Sequence, residues 1–125
     1  MATPYVEELA LESRNNEGIS EIITITAEVD GIDVPVDLTG RTFFAQARTG
    51  KNKTADLLCE IEVMIEGDPT EGRVLLTVDD AIMRDVPPVK GHYDVLMRSE
   101  TGYIDNLYMA PFLVGTGVSD PDQWL

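Results

Sequence analysis

Apolar residues recur at every second position along most of this chain, and that alternation limits it to half-buried strands. In "SEIITITAEVD" (Ser20 to Asp30), Ile23, Ile25, Ala27 and Val29 alternate with Thr24, Thr26 and Glu28. In "RTFFAQAR", Phe43, Ala45 and Ala47 share one side, while Thr42, Phe44, Gln46 and Arg48 share the other. "ADLLCEIEVMIEG" sets Cys59, Ile61, Val63 and Ile65 against Glu60, Glu62 and Met64, and "GHYDVLMRS" sets Tyr93, Val95 and Met97 against His92, Asp94, Leu96 and Arg98. "GRVLLTV" predicts a short strand paired as a hairpin through "EGDPTEG". "YIDNLYM" predicts another strand, and "PFLVGTGV" a separate last one, with Pro111 at its start where a missing amide is tolerated. One segment departs from the period: "TVDDAIMRDVPP" predicts a single helical turn capped by Asp79 or Asp80 and stopped at Pro87-Pro88.

Seven or eight short strands joined by Gly and Pro turns predict an all-β fold, a single antiparallel immunoglobulin-like β-sandwich with Greek-key connections and one short helical turn. The expected layout is residues 1–18 as an N-terminal arm or first strand, 19–118 as the sandwich and 119–125 as a C-terminal tail. A chain of 125 residues buries roughly two-thirds of its unfolded surface and can hold a core without metal or disulfide. No cofactor is expected.

Charge narrows the partners. Nine basic residues against 23 acidic ones give 9 − 23 = −14, which disfavours phosphate backbones and anionic lipid, so neither nucleic acid nor membrane is an expected partner. The charge is also uneven. From Met1 to Gly40 only Arg14 opposes nine acids, whereas Arg41 to Thr54 holds Arg41, Arg48, Lys51 and Lys53 and no acid. Such an island suits an acid-to-base meeting between copies of one chain or between two proteins, although a solvated hairpin loop at "RTGKNKT" accounts for it more simply.

Catalytic groups are scarce. Nucleophilic catalysis needs a base beside the nucleophile. The one histidine, His92, falls at the start of a strand opposite Tyr93, which suggests a surface role. "GTG" at Gly115 to Gly117 lacks the helix and lysine of a phosphate loop. One cysteine and one histidine cannot fill a zinc shell. Cys59, in an apolar run, is expected to pack rather than react. Paired carboxylates such as Glu60 with Glu62 lack the aromatic platform of a sugar cleft, and the acidic turns "DPTEG" and "DPDQ" lack the regular calcium loop. The N-terminus has neither the basic start nor the apolar centre of a signal peptide.

In "VPVDLTGRTFFAQAR" (Val34 to Arg48), Gly40 is expected at positive φ, with Asp37 or Thr39 bonding the amides of the turn. Arg48, at the far end of the same strand, is expected to pair with Asp37 or with Asp94 on a neighbouring strand and so to fix register. Together with Gly72 opening "GRVLLTV", Gly91, Tyr93, Asp94, Gly102, Val114 and Val118, the run Val36-Asp37-Leu38-Thr39-Gly40 and Arg48 resemble immunoglobulin-like domains of tailed-bacteriophage virion proteins. These include the N-terminal domain of baseplate upper proteins and small neck, baseplate or fibre-attachment proteins. The resemblance spans about Ile22 to Val118.

It implies a non-enzymatic virion structural protein, assembled in the host cytoplasm, present in multiple copies as a homo-oligomer and bound to other virion proteins. The baseplate, neck or tail-fibre attachment apparatus is the implied location. Capsid decoration is an alternative, as is a carbohydrate- or cell-surface-binding module presenting Tyr103, Tyr108 and Lys51. The candidate interface residues are the stripe Tyr5, Val6, Leu9 and Leu11, the loop lysines Lys51 and Lys53, and the terminal pair Trp124 and Leu125. For the stripe, the first strand of the sandwich itself is the competing expectation.

Overall fold

The computed structural model describes residues 4–124. The strands are β1 (Leu11–Arg14), β2 (Ile19–Thr24), β3 (Thr26–Val29), β4 (Ile32–Pro35), β5 (Thr42–Arg48), β6 (Leu57–Ile65), β7 (Arg73–Val78), β8 (Val89–Arg98) and β9 (Ile104–Gly115); the helical turn α1 (Asp80–Met83) lies between β7 and β8. The fold is all-β. Seven strands form one sheet in the order β1-β9-β8-β5-β6-β7-β2, and β3 and β4 form a separate hairpin. Strands β8-β5-β6-β7 make a Greek key: three strands linked by consecutive hairpins, with the fourth returning beside the first.

The two layers of the sandwich are continuous through β6. Its first half, through Ile61, pairs with β5, and its second half, from Glu62, pairs with β7. Five strands therefore lie on one side of the core and three on the other, with β6 turning the corner. Because only four residues separate β1 from β2, the two ends of the sheet are brought back together and it nearly closes into a barrel.

Alternation places the core as the sequence predicts. Ala45 and Ala47, Cys59 and Ile61, Val74, Leu76 and Val78, and Tyr93, Val95 and Met97 are all buried. Tyr93 stands between Ala47 on β5 and Ala110 on β9 in the strand register. Small neighbours on both sides leave room for the ring, which meets Tyr108 edge-on at 5.5 Å and Phe112 at 6.4 Å. Met83 of α1 and Val86 after it are fully buried, so the helical turn carries apolar side chains into the same core.

Three features depart from the sequence reading. The run Ser20 to Asp30 is two strands, because Ile25 leaves the ladder: its N–H donates to the Gly72 carbonyl, and its own carbonyl accepts from Val36. Gly72 sits at φ 71°, and a Cβ there would lie 2.6 Å from the Ile25 carbonyl oxygen, so this crossing of backbones requires glycine. Beyond it β3 and β4 form a hairpin on Asp30-Gly31, both at positive φ as its tight turn demands.

Second, "YIDNLYM" and "PFLVGTGV" are one strand. Pro111 lies inside β9 rather than at its start; β1 begins pairing at Phe112, so the amide-less position falls just outside that ladder. Third, an extra residue bulges β9 between the partners of Val95 and Leu96. That shifts the parity, and Leu107 and Tyr108 are both buried.

Residues 4–18 are part of the fold. Tyr5 exchanges backbone hydrogen bonds with Thr26, and Leu11–Arg14 pairs in parallel with β9, so the sheet is mixed rather than the wholly antiparallel one the sequence predicts. Among the described residues, no helix is long and apolar enough to cross a membrane.

Candidate functional site

The turn that frames β5 is built as expected. Gly40 has φ 75°. The Asp37 carboxylate accepts from the Thr39 amide at 3.0 Å and from its hydroxyl at 2.7 Å. These two bonds, with the hydroxyl the larger cause, hold the Asp37 carboxyl below the usual range. The same Asx-x-Thr device recurs at Asp68–Thr70 and Asn52–Thr54. The spacing "DLT", "DPT" and "NKT" is a sequence signal shared by all three turns.

Arg48 pairs with neither Asp37 nor Asp94. Its guanidinium donates to the Ala55 carbonyl at 2.9 Å and to Gln46 Oε1 at 3.0 Å. Geometry explains the difference: Asp37 precedes the turn at the other end of β5, and Asp94 stands opposite Gln46 while Arg48 stands opposite His92. Asp94 instead accepts from the Asn106 side chain at 3.0 Å. Arg48 therefore pins the β5–β6 loop against the sheet, which holds Lys51 and Lys53 beside the outer face of β5 and β8.

That face is the most developed surface of the molecule. Phe44, Leu96, Met109 and the flanking Ile104 form an apolar strip across β5, β8 and β9, with Phe44 48% exposed. A hollow of about 220 Å³ runs from Phe44 and Leu96 to Arg48, Lys51, Lys53 and His92. A second of about 270 Å³ shares Phe44 and Leu96 and extends to Arg98 and Ile104. His92 faces outward from within β8, and its Nδ1 is buried without a hydrogen-bond partner. The outward row of β8 also carries Lys90 and Arg98. Five of the nine basic residues thus border one face, and none of the three ion pairs among the described residues uses them.

The other candidates distribute differently. Val6 (3% exposed) and Leu11 lie in the core and Leu9 packs against it, so this stripe is spent within the chain and only Tyr5 stays exposed. Tyr108 is buried, which removes it from the glycan platform; the β9 bulge turned it inward, a parity change that alternation cannot reveal. Instead it forms a relay. The Tyr93 hydroxyl donates to the Leu9 carbonyl, so the Tyr108 hydroxyl, 2.6 Å from Tyr93 Oη, must donate to Tyr93. Burial is the main cause that pushes Tyr108 up to about 12 and Tyr93 well above the ordinary tyrosine range, with the Tyr108 contact adding to the latter.

Cys59 is buried, and desolvation raises its thiol to about 11, which suits packing rather than reaction. Trp124 is 87% exposed after the short 3-10 turn Pro121–Gln123. Leu125 lies outside the described residues.

No family model and no curated protein matches the chain. Among solved structures, it is similar at 11% identity and a TM-score of 0.47 to a chain of the structure described as "Structural basis of T cell specificity and activation by the bacterial superantigen toxic shock syndrome toxin-1". The likeness covers 92% of this chain and 100% of that one.

Proposed function

We propose that this chain is a non-enzymatic structural protein of a tailed-phage particle, present in several copies in the baseplate, neck or fibre-attachment apparatus and bound to other virion proteins. The observation that carries the binding role is the outer face of β5, β8 and β9. An exposed apolar strip bordered by unpaired cations, on a molecule of net charge −14, suits contact with other protein surfaces. The turn and core residues that resemble phage immunoglobulin-like domains supply the particle context. Gly40 and Gly72 stand at positive φ, Gly91 and Tyr93 are buried and Val114 is in the core, so these resemblance positions are occupied by residues the fold needs, whereas Val118 lies beyond β9 and is 96% exposed. Quantitative mass spectrometry of purified particles tests the reading. The chain should be recovered in a fixed multiple of a tail protein, and its absence from particles when it is present in the lysate would overturn the proposal.

A further inference from the structure

The opposite side of the sandwich carries a second apolar row. On the outer face of β2, β7 and β6, Ile22, Leu75 and Met64 stand directly opposite one another in the strand register. Ile22 and Met64 (52% exposed) project into solvent. The charges around this row are of the other sign. Glu62 is the next outward residue of β6, and Glu7 and Glu8 line a hollow with Ile22 and Thr24 at the open edge of β2. Arg73, the basic residue of this face, is already paired with Glu71 at 2.8 Å.

We infer that the two faces are the halves of one contact: the Phe44–Leu96–Met109 strip of one copy, with Lys51 and Lys53, seats the Ile22–Leu75–Met64 row of a second copy, with Glu62, Glu7 and Glu8. The occupant follows from charge complementarity. Asp94, which also lines the hollow, is held by the Asn106 side chain, and the five bordering cations outnumber it; the face therefore suits an acidic partner with an apolar centre, and the chain carries such a surface on its own reverse side. Like faces would instead set cations against cations, or acids against acids, which costs binding energy. The two faces lie on opposite layers, so the contact is head-to-tail; it generates a ring where the rotation closes and a filament where it does not. The overall −14 of each copy opposes encounter at long range. At physiological ionic strength, where screening acts within about 8 Å, only the local opposite-sign contacts survive.

Two double variants with exposed changes test this in about 0.15 M salt. Lys51→Glu with Lys53→Glu inactivates the basic face, and Glu62→Lys with Met64→Lys inactivates the acidic one; circular dichroism confirms that both remain folded. Sedimentation velocity at up to roughly 100 µM should show the wild type assembling and each double variant weakened at least tenfold. A one-to-one mixture of the two should associate where each alone does not, since one live face of each kind remains. A monomeric wild type, a double variant that assembles like wild type, or a mixture that stays monomeric would each overturn the interface.

The inference rests on the multi-copy reading of the proposed function, and particle mass spectrometry separates the two. A chain found in particles but monomeric in solution loses this interface alone. A self-associating chain absent from particles loses the phage reading alone.

Discussion

The two ends of the described chain, each read from the sequence as a candidate interface, meet opposite fates. Near the N-terminus, Val6 and Leu11 are buried in the core, Tyr5 bridges to Thr26, and the Leu9 carbonyl accepts the hydroxyl of Tyr93. At the C-terminus, Trp124 lies in solvent, and the preceding turn is tied to the body by an exposed bond from Arg84 to Asp122 and by the Asn16 side chain bonding the Ser119 carbonyl. A run of apolar residues therefore does not define an arm. What decides is whether the sheet offers it a place. The N-terminal segment lies along the edge of β2 with Val6 and Leu9 packed on the core, whereas Trp124 borders an open surface hollow with Asn16, Glu17 and Asp80 and stays exposed.

The contrast can be tested by how much each end contributes to stability. Leu11→Ala should have the largest effect, about 2–5 kcal/mol in chemical denaturation, because it empties a fully buried site between β1 and β9. A loss under about 1 kcal/mol would mean that the N-terminal segment is peripheral after all. Next is Tyr93→Phe, which keeps the ring but leaves the Leu9 carbonyl and the Tyr108 hydroxyl without their shared partner, at about 1–3 kcal/mol.

The same relay sets an alkaline limit. Tyr108 is raised from 10.0 to about 12, so the fold favours its neutral form. The stability this contributes is complete below pH 10 and is lost as pH rises through about 12. An alkaline titration followed by tyrosinate absorbance and circular dichroism should show ionisation of Tyr93 and Tyr108 coinciding with unfolding; their ionisation in an intact fold would refute the buried relay.

At the other end, Arg84→Ala should cost less than either change above in chemical denaturation, since both its ion pairs are surface pairs. Trp124→Ala should leave the unfolding free energy unchanged within about 0.5 kcal/mol. A clear destabilisation by Trp124→Ala would erase the difference between the two ends.

Much of the fold was legible because a strand's period is local. Tyr93, Val95 and Met97 alternate inward whatever their neighbours do, and Asp79 with Pro87-Pro88 bounds the helical turn within a dozen residues. The errors lie where distant backbone decides. Nothing near Ile25 signals that its N–H will meet Gly72, and Pro111 reads as a boundary until the start of β1 is known. Tyr108 is the clearest case: one extra residue in β9 reverses its face, and alternation has no way to register a bulge. The candidate site was legible in part. The basic island at Lys51 and Lys53 borders the β5–β8–β9 face, but Arg48 serves that face by fastening its loop, a role set by where Ala55 returns rather than by any charged partner.

The parallel pairing of β1 with β9 bears on how the molecule carries load. The chain enters β1 at Leu11 and leaves β9 at Gly115, and the strands run side by side in the same direction over Leu11–Arg14 and Phe112–Gly115. Tension applied to the two ends therefore slides these strands past each other and strains their evenly spaced hydrogen bonds together, rather than peeling them one at a time. The short first strand acts as a shear clasp, and single-molecule pulling from the termini should meet one abrupt force peak that Leu11→Ala lowers.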